Sequence, residues 1–330
     1  MRKKSSAPTM KDVAHEAGVA LGTVSKVFNG IPVGDSYRAK VEEAAARLGY
    51  QVNNYARGLK TNKTYTAAVI IPTTTHPFFG LLTEALCKAF TARNYRMLLA
   101  LTSFNMDAEQ HCIEMVKQNK VDGIIALTYN PNLQIDDTLP FVSIDRHYNS
   151  SIPCVSSDNY GGGQMAAEKL IELGCKNLLF LRTGSDVPGE PDKRGAGFEA
   201  FCNLHQIPHH SVRENDAAGP EPILKFIDRH IKNGKLSYDG IFCSTDHLAV
   251  CVLKHLTLRG IRVPEDVQVI GFDGLRTIFD DKPYCSTIVQ PVEAMAETAV
   301  EILLTQNRSQ LSALTSIPVS YLPGGTTRDS

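Results

Sequence analysis

The chain has 330 residues, 43% hydrophobic and 21% charged, with a formal net charge of −1, the make-up of a globular protein with sizeable cores in two or three domains. No stretch is long and apolar enough to span a membrane, no apolar core follows Arg2-Lys3-Lys4 as a signal peptide would require, and the eight cysteines show no C-x-x-C spacing. These features exclude a secreted disulfide scaffold and point to a cytoplasmic protein with buried free thiols.

Charge is unevenly placed. Residues 1–63 carry 11 Lys and Arg against 5 Asp and Glu, a net +6, while the remainder carries 23 against 30, a net −7. A basic head on an acidic body suits a DNA-binding module joined to a domain with another task. Within the head, Met10, Val13, Ala14 and Ala17 recur at helical spacing behind Thr9, whose hydroxyl suits a first-turn cap. Gly18 ends that helix, and Val24, Val27 and Phe28 form a second apolar stripe closed by Asn29-Gly30. Two short helices around a glycine turn make a helix-turn-helix. Thr23, Ser25 and Lys26 lie off the stripe, where side chains reach phosphates and base edges. A third helix is expected from about Asp35 to Leu48, with Val41, Ala45 and Leu48 inward.

The segments Asp12-Val13-Ala14, Ala17-Gly18-Val19 and Thr23-Val24-Ser25-Lys26-Val27 with Asn29-Gly30 resemble the opening signature of the LacI/GalR family of bacterial transcriptional repressors. The resemblance extends over nearly the whole chain. It implies DNA contacts from Thr9, Leu21, Gly22, Thr23, Ser25, Lys26 and Asn29, with Leu21 and Gly22 at a variable pair that sets operator choice. Ala20 departs from the Ser usual at the start of the recognition helix. Residues 51–64 form a polar connector with no buried face of its own, so a helix there would not persist alone. The resemblance makes it a hinge whose Asn53, Ala56 and Leu59 meet the minor groove, Leu59 wedging between bases at a cost offset by the bend. Val52 stands where the family usually has Pro.

From Tyr65 onward, apolar runs of strand length alternate with helical segments. The runs are 67–71, 97–101, 123–127, 141–144, 178–181, 240–243 and 267–271. Continuous apolar strands between helices mean parallel sheets covered on both faces, and ligands bind at the carboxyl ends of such strands. The expected fold is an all-α helix-turn-helix head (1–50), a hinge (51–64) and an α/β body (65–330) of two doubly wound parallel-sheet lobes. The resemblance makes that body periplasmic-binding-protein-like, with chain crossings near 159, 290 and 313. One lobe then holds 65–158 and 291–312, the other 159–290 and 313–330.

Enzyme chemistry finds no support in the motifs. The turn Pro72–Phe79 lacks G-x-G-x-x-G, and neither G-x-S-x-G nor H-E-x-x-H occurs. Gly161-Gly162-Gly163 before a helix could cradle a phosphate, but the family uses that segment as a crossing and helix start. His205, His209 and His210 are interrupted by Pro208, so neither a metal nor a cofactor is expected. Polar and aromatic groups instead gather at strand ends: Phe78-Phe79, Asp145-Arg146, Arg194, Asp246 and Asp273. Carboxylates, a guanidinium fork and an aromatic face suit a small polyhydroxylated ring. By resemblance Phe79, Arg146, Arg194, Asp246 and Asp273 fall at effector-pocket positions, and Asp192 is a further candidate.

The expected protein is a homodimeric repressor binding pseudo-palindromic double-stranded operator DNA under control of a small effector, a sugar or sugar derivative. A purine- or nucleoside-responsive regulator of the same family is the alternative. A solute-binding protein, from a different class, is opposed by the DNA-binding head. The C-terminal segment carries no leucine heptads for a tetramerising coiled coil.

Overall fold

The computed structural model describes residues 8–28, 31–50, 63–136, 139–148, 151–308 and 311–329. They divide into a head, Met1–Thr64, and a body, Tyr65–Ser330.

The head contains α1 (Met10–Ala17), α2 (Leu21–Phe28) and α3 (Asp35–Leu48). Thr9 closes a capping box: its backbone N–H donates to the Asp12 carboxylate at 2.7 Å, and the Asp12 N–H donates to its hydroxyl. This satisfies amides that a helix start leaves free. Gly18, at φ 64, ends α1 in the left-handed conformation that glycine adopts without strain. Each helix then gives one fully buried valine to a common core, Val13, Val24 and Val41, with Ala14, Val27, Ala44 and Ala45 around them. Alanines keep the helices close, and Phe28 against Tyr50 at 5.4 Å closes one end.

The body contains β1 (Thr66–Ile71), α4 (Pro77–Ala92), β2 (Arg96–Leu101), α5 (Met106–Gln118), β3 (Ile124–Ala126), β4 (Phe141–Ile144), β5 (Cys154–Ser157), α6 (Asn159–Glu172), β6 (Leu178–Gly184), α7 (Lys193–Leu204), β7 (His209–Asn215), α8 (Glu221–Arg229), a hairpin of β8 (Ile231–Lys232) and β9 (Lys235–Leu236), β10 (Gly240–Cys243), α9 (Asp246–Leu258), β11 (Gln268–Asp273), β12 (Ser286–Val289), α10 (Val292–Leu304), β13 (Leu314–Ile317) and β14 (Ser320–Leu322). Two sheets form, ordered β13-β5-β4-β3-β1-β2 and β14-β12-β11-β10-β6-β7. Every pairing in them is parallel except β12 with β14. Central strands are buried on both faces, as doubly wound sheets require.

The chain passes between the sheets after Ser157 and again after Val289, near the expected 159 and 290. The third passage corrects the expectation of 313. Residues Leu314–Ile317 pair parallel with Cys154–Ser157, so they belong to the first sheet and the chain leaves it at 318–319. Leu-Thr-Ser-Ile on a half-exposed edge lacks the apolar run that marks a central strand. The same reason hid β7, which pairs with β6 along its whole length and extends it to Gly184. It also hid β12, whose Ser286 and Thr287 are nevertheless buried.

Gly163 and Gly197 serve helix packing. A Cβ on Gly163 would overlap the Arg194 carbonyl oxygen, and one on Gly197 the Tyr160 carbonyl oxygen. Backbone meets backbone where α6 crosses α7, which seats Arg194 at the head of α7 beside Asn159 at the head of α6. The eight cysteines are free, and Cys154, Cys175, Cys202, Cys243 and Cys285 are buried.

Candidate functional site

The head presents one face of α2. Leu21, Gly22 and Lys26 are exposed and Thr23 and Ser25 half-buried, while Val24 and Val27 point inward. Ala20 accepts the Thr23 and Val24 amides through its backbone oxygen, at 2.8 and 3.3 Å, and has no side-chain acceptor to add. Thr9, expected at the DNA, donates its hydroxyl to Asp12 at 2.7 Å, so its first role is to cap α1. Asn29, Asn53, Ala56 and Leu59 lie outside the described residues.

In the body, strand ends and the crossings build a polar floor between the lobes. Arg194 is 4% exposed. Its Nε donates to Asn159 Oδ1 at 2.7 Å and its Nη1 to the Ser244 carbonyl at 2.6 Å. Its guanidinium lies 3.7 Å over the Phe272 ring, which covers one face of the cation. Nη1 also stands 3.7 Å from Asp273 Oδ1. That oxygen accepts from Gln290 Nε2 at 2.8 Å, and Gln290 Oε1 accepts from the Ser157 hydroxyl at 2.7 Å. On the other side Asn159 donates to Ser156 Oγ at 2.8 Å, and Ser156 donates to Asp145 Oδ1 at 2.6 Å. The chain from Asp145 to Ser157 thus runs through the first two crossings. The Asp145 carbonyl also accepts from the Glu190 amide of the second lobe at 2.9 Å.

The electrostatics follow from burial. Asp273, at φ 132 in backbone that disfavours side chains, is pushed up to about 8, by burial first and by the Asp246 carboxylate, against Arg194 and Gln290. Asp145 is also raised by burial, opposed by Ser156 and Arg194. His76, across the cleft on the first lobe, is lowered to about 4 by burial and then by His247 and Arg194. Among the described residues, Asp273 Oδ2, Ser244 Oγ, Arg146 Nε and His76 Nδ1 are buried without a hydrogen-bond partner. Such atoms in a native protein call for an explanation, and a polar ligand is one.

The six expected effector residues divide. Arg194 and Asp273 come together, and Phe79, 7% exposed, packs 5.2 Å from His76 on the first lobe's side. Arg146 stands over Tyr148 at 5.4 Å, within reach of the Glu109 charge. Asp192 pairs with Arg182 at 2.5 Å and accepts from the Gly189 amide. Asp246 is placed behind the floor and is 0% exposed. It accepts from the Leu275 amide at 2.7 Å, the Thr287 hydroxyl at 2.6 Å and the Cys285 thiol at 3.5 Å. These three donors brace the loop after β11 and keep Asp246, expected at the effector, wholly out of solvent. His205 stacks on Phe201, His209 lies against Phe198 and His210 beside Phe226, so the three histidines go to different neighbours. Sequence reading missed Ser244 and Gln290. Gln290 directly follows β12, but that strand was not legible as one.

Residues 9–53 match the model described as "Bacterial regulatory proteins, lacI family", and 167–327 match "Periplasmic binding protein-like domain". The chain is 34% identical over 326 residues to the sucrose operon repressor of Pediococcus pentosaceus, covering 97% of this chain and 99% of that protein. It is 32% identical over 331 residues to the ribose operon repressor of Bacillus subtilis, covering 97% and 98%. Its fold is similar to that of the lac repressor dimer bound to operator and the anti-inducer ONPF, with a TM-score of 0.81, 21% identity and coverage of 98% and 99%.

Proposed function

Because the chain belongs to the LacI family of bacterial regulatory proteins, we propose that this DNA-binding repressor acts as a homodimer controlling carbohydrate uptake or catabolism genes, with a sugar or sugar derivative as effector. Residues 1–50 hold the operator, 51–64 form the hinge, and 65–330 bind effector and the second copy. The site of action is the cytoplasm, and the body works by binding rather than by catalysis.

At the operator, Leu21, Gly22, Thr23, Ser25, Lys26 and Asn29 face the major groove and its phosphates, and Asn53, Ala56 and Leu59 the minor groove. Leu21 offers only apolar contact and Gly22 none, so Lys26 is the main base reader, with guanine O6 and N7 its preferred partners. In the body, Arg194, Asp273 and Ser244 form the floor of the effector site, with Phe79 on the opposite wall and Arg146 and Asp192 at its margins.

The observation that supports this reading is the pair of buried unpartnered oxygens, Asp273 Oδ2 and Ser244 Oγ, beside a guanidinium already aligned by Asn159. Ring hydroxyls donate to a carboxylate and accept from an arginine, so a polyol fills both roles at once. Relatives named for sucrose and ribose operons agree with that chemistry. Calorimetry with a panel of sugars and nucleosides on wild type and Asp273→Ala decides it. Removing one buried hydrogen-bonding partner and leaving the others unsatisfied costs about 1–3 kcal/mol of binding. Sugar binding abolished with operator binding intact is the expected result, while nucleoside binding alone would favour the purine-type reading.

A further inference from the structure

The first lobe lines its side of the cleft with a row of aromatic rings. His76 lies 5.2 Å from Phe79, Phe79 6.5 Å from Phe104, and Phe104 5.4 Å from Tyr129. The second lobe is near both ends of the row: His76 is 6.1 Å from His247, and the Tyr129 hydroxyl feels the charges of Asp216 and Arg194. Phe78 and Phe79 are core residues at 5% and 7% exposed, but Phe104 is 52% exposed.

Phe104 is held there at a cost. It has φ 59 and follows Ser103 at φ 51, two consecutive non-glycine residues in the left-handed region, and a bulky side chain there is an outlier. The surrounding backbone enforces it. The Thr102 amide donates to the Ile71 carbonyl at 3.1 Å and the Ser103 amide to the Pro72 carbonyl at 2.8 Å. Asn105 at once caps α5 through the Ala108 amide at 2.9 Å. A strained turn that presents a half-exposed ring beside Phe79 and Tyr129 is the kind of outlier that marks a ligand clamp.

We propose that the effector has two rings: the floor at Arg194, Asp273 and Ser244 holds one sugar ring, and Phe104 with Tyr129 covers the apolar C–H face of a second. The effector is then a disaccharide or other glycoside rather than a monosaccharide. This rests on the sugar reading of the site. The division of labour follows from the chemistry of the two walls. The floor offers charged donors and acceptors that fix hydroxyl directions. The Phe79–Phe104 stretch offers none, only flat apolar surface, which suits a ring face. One sugar ring seated on the floor stacks on one aromatic side chain and leaves the rest of the row uncovered, whereas a glycosidically linked second ring extends along it.

The test is calorimetry of the full-length protein with glucose, fructose, ribose, sucrose, maltose and cellobiose, on wild type, Phe104→Ala, Phe104→Leu and Asp273→Asn. At least one disaccharide is expected to bind wild type about tenfold or more tighter than any monosaccharide. Phe104→Ala should lose about tenfold for that disaccharide, the value of one uncovered ring face. Phe104→Leu, which keeps apolar bulk without the flat face, should lose nearly as much. Both should leave monosaccharide affinity within about twofold, while Asp273→Asn weakens every sugar. A monosaccharide that binds as tightly as the best disaccharide, or Phe104 variants that weaken both classes equally, overturns the two-ring assignment and leaves the sugar reading standing. If none of the six sugars binds wild type, the sugar reading fails and the assignment fails with it.

Discussion

The Ser157 hydroxyl donates to Gln290 Oε1 at 2.7 Å, joining two residues 133 positions apart on the first and second chain crossings between the lobes. The other end of the same side chain donates to Asp273. Gln290 therefore connects the two crossing segments to the carboxyl group proposed to hold the effector.

Gln290→Leu should leave Ser157 and Asp273 short of a partner in a buried site. Each lost partner costs about 1–3 kcal/mol, so the urea midpoint of the full-length protein should fall clearly. Ser157→Ala should cost less, and the double variant should fall short of the sum, because the two residues share one bond. Strict additivity would show that the contact does not exist in solution.

Gly163→Ala should act on the effector site from outside it. Its Cβ would meet the Arg194 carbonyl and Phe198 backbone, which have no side-chain freedom with which to yield. Forcing α6 from α7 costs about 1–3 kcal/mol and displaces Arg194. The expected result is a lower melting temperature together with weaker effector binding, and operator binding retained. Unchanged effector affinity would detach the helix crossing from the site.

Asp273 and His76 predict opposite pH slopes. The Asp273 carboxyl, raised by burial from 3.8 to about 8, holds more protons in the folded than in the unfolded chain between those values. Its stabilising contribution is present below 3.8 and is lost as pH rises to about 8. His76, lowered by burial from 6.5 to about 4, contributes above 6.5 and loses that contribution as pH falls through 4. From pH 6.5 to about 8 the Asp273 slope therefore stands clear of His76. Stability of the ligand-free protein should decline across that window, and Asp273→Asn should flatten the decline. A slope identical in the variant would assign it to other groups.

Operator binding should weaken steeply with salt, by roughly 0.9 log unit per log unit for each phosphate neutralised. Lys26, exposed on α2, is assigned to a base, so Lys26→Ala should relax one symmetric base position by about 1–3 kcal/mol. Selection from random DNA reads this out, and an unchanged selected site would reject the role. Leu59→Ala should weaken binding and reduce the bend.

Ile278 and Phe279 are 92% and 101% exposed on a loop ordered by the Arg276–Pro283 bridge and by the Thr277 amide bonding to the Lys282 carbonyl. Two such apolar side chains side by side suit burial against the second copy. Phe279→Asp should raise the dimer dissociation constant in sedimentation equilibrium, with the fold unchanged by circular dichroism. A dimer of wild-type strength would place the interface elsewhere.

The amino-acid sequence by itself determined the helix-turn-helix, the alternating body and the central strands, because these depend on local periodicity: a stripe every three or four residues, a glycine at a helix end, an unbroken apolar run. It also placed Asp273, the polar end of an apolar strand, at the edge of a parallel sheet where ligands bind, and the family resemblance added Arg194 as a candidate. Tertiary structure alone decided what each polar group meets. Asp246 and Asp273 both follow or end strands, yet Thr287, Leu275 and Cys285 occupy the first while the second keeps Oδ2 unpartnered. Edge strands such as Leu314–Ile317 and His209–Asn215 acquire their identity from the neighbour that pairs with them. Gln290 and Phe104 gain meaning only from partners distant in the chain, Ser157 and Asp273 for the first and Phe79 and Tyr129 for the second. Hydrogen bonds and ring contacts across such separations are set by how the sheets and crossings fold back on one another, and a local pattern of residue types carries no record of that.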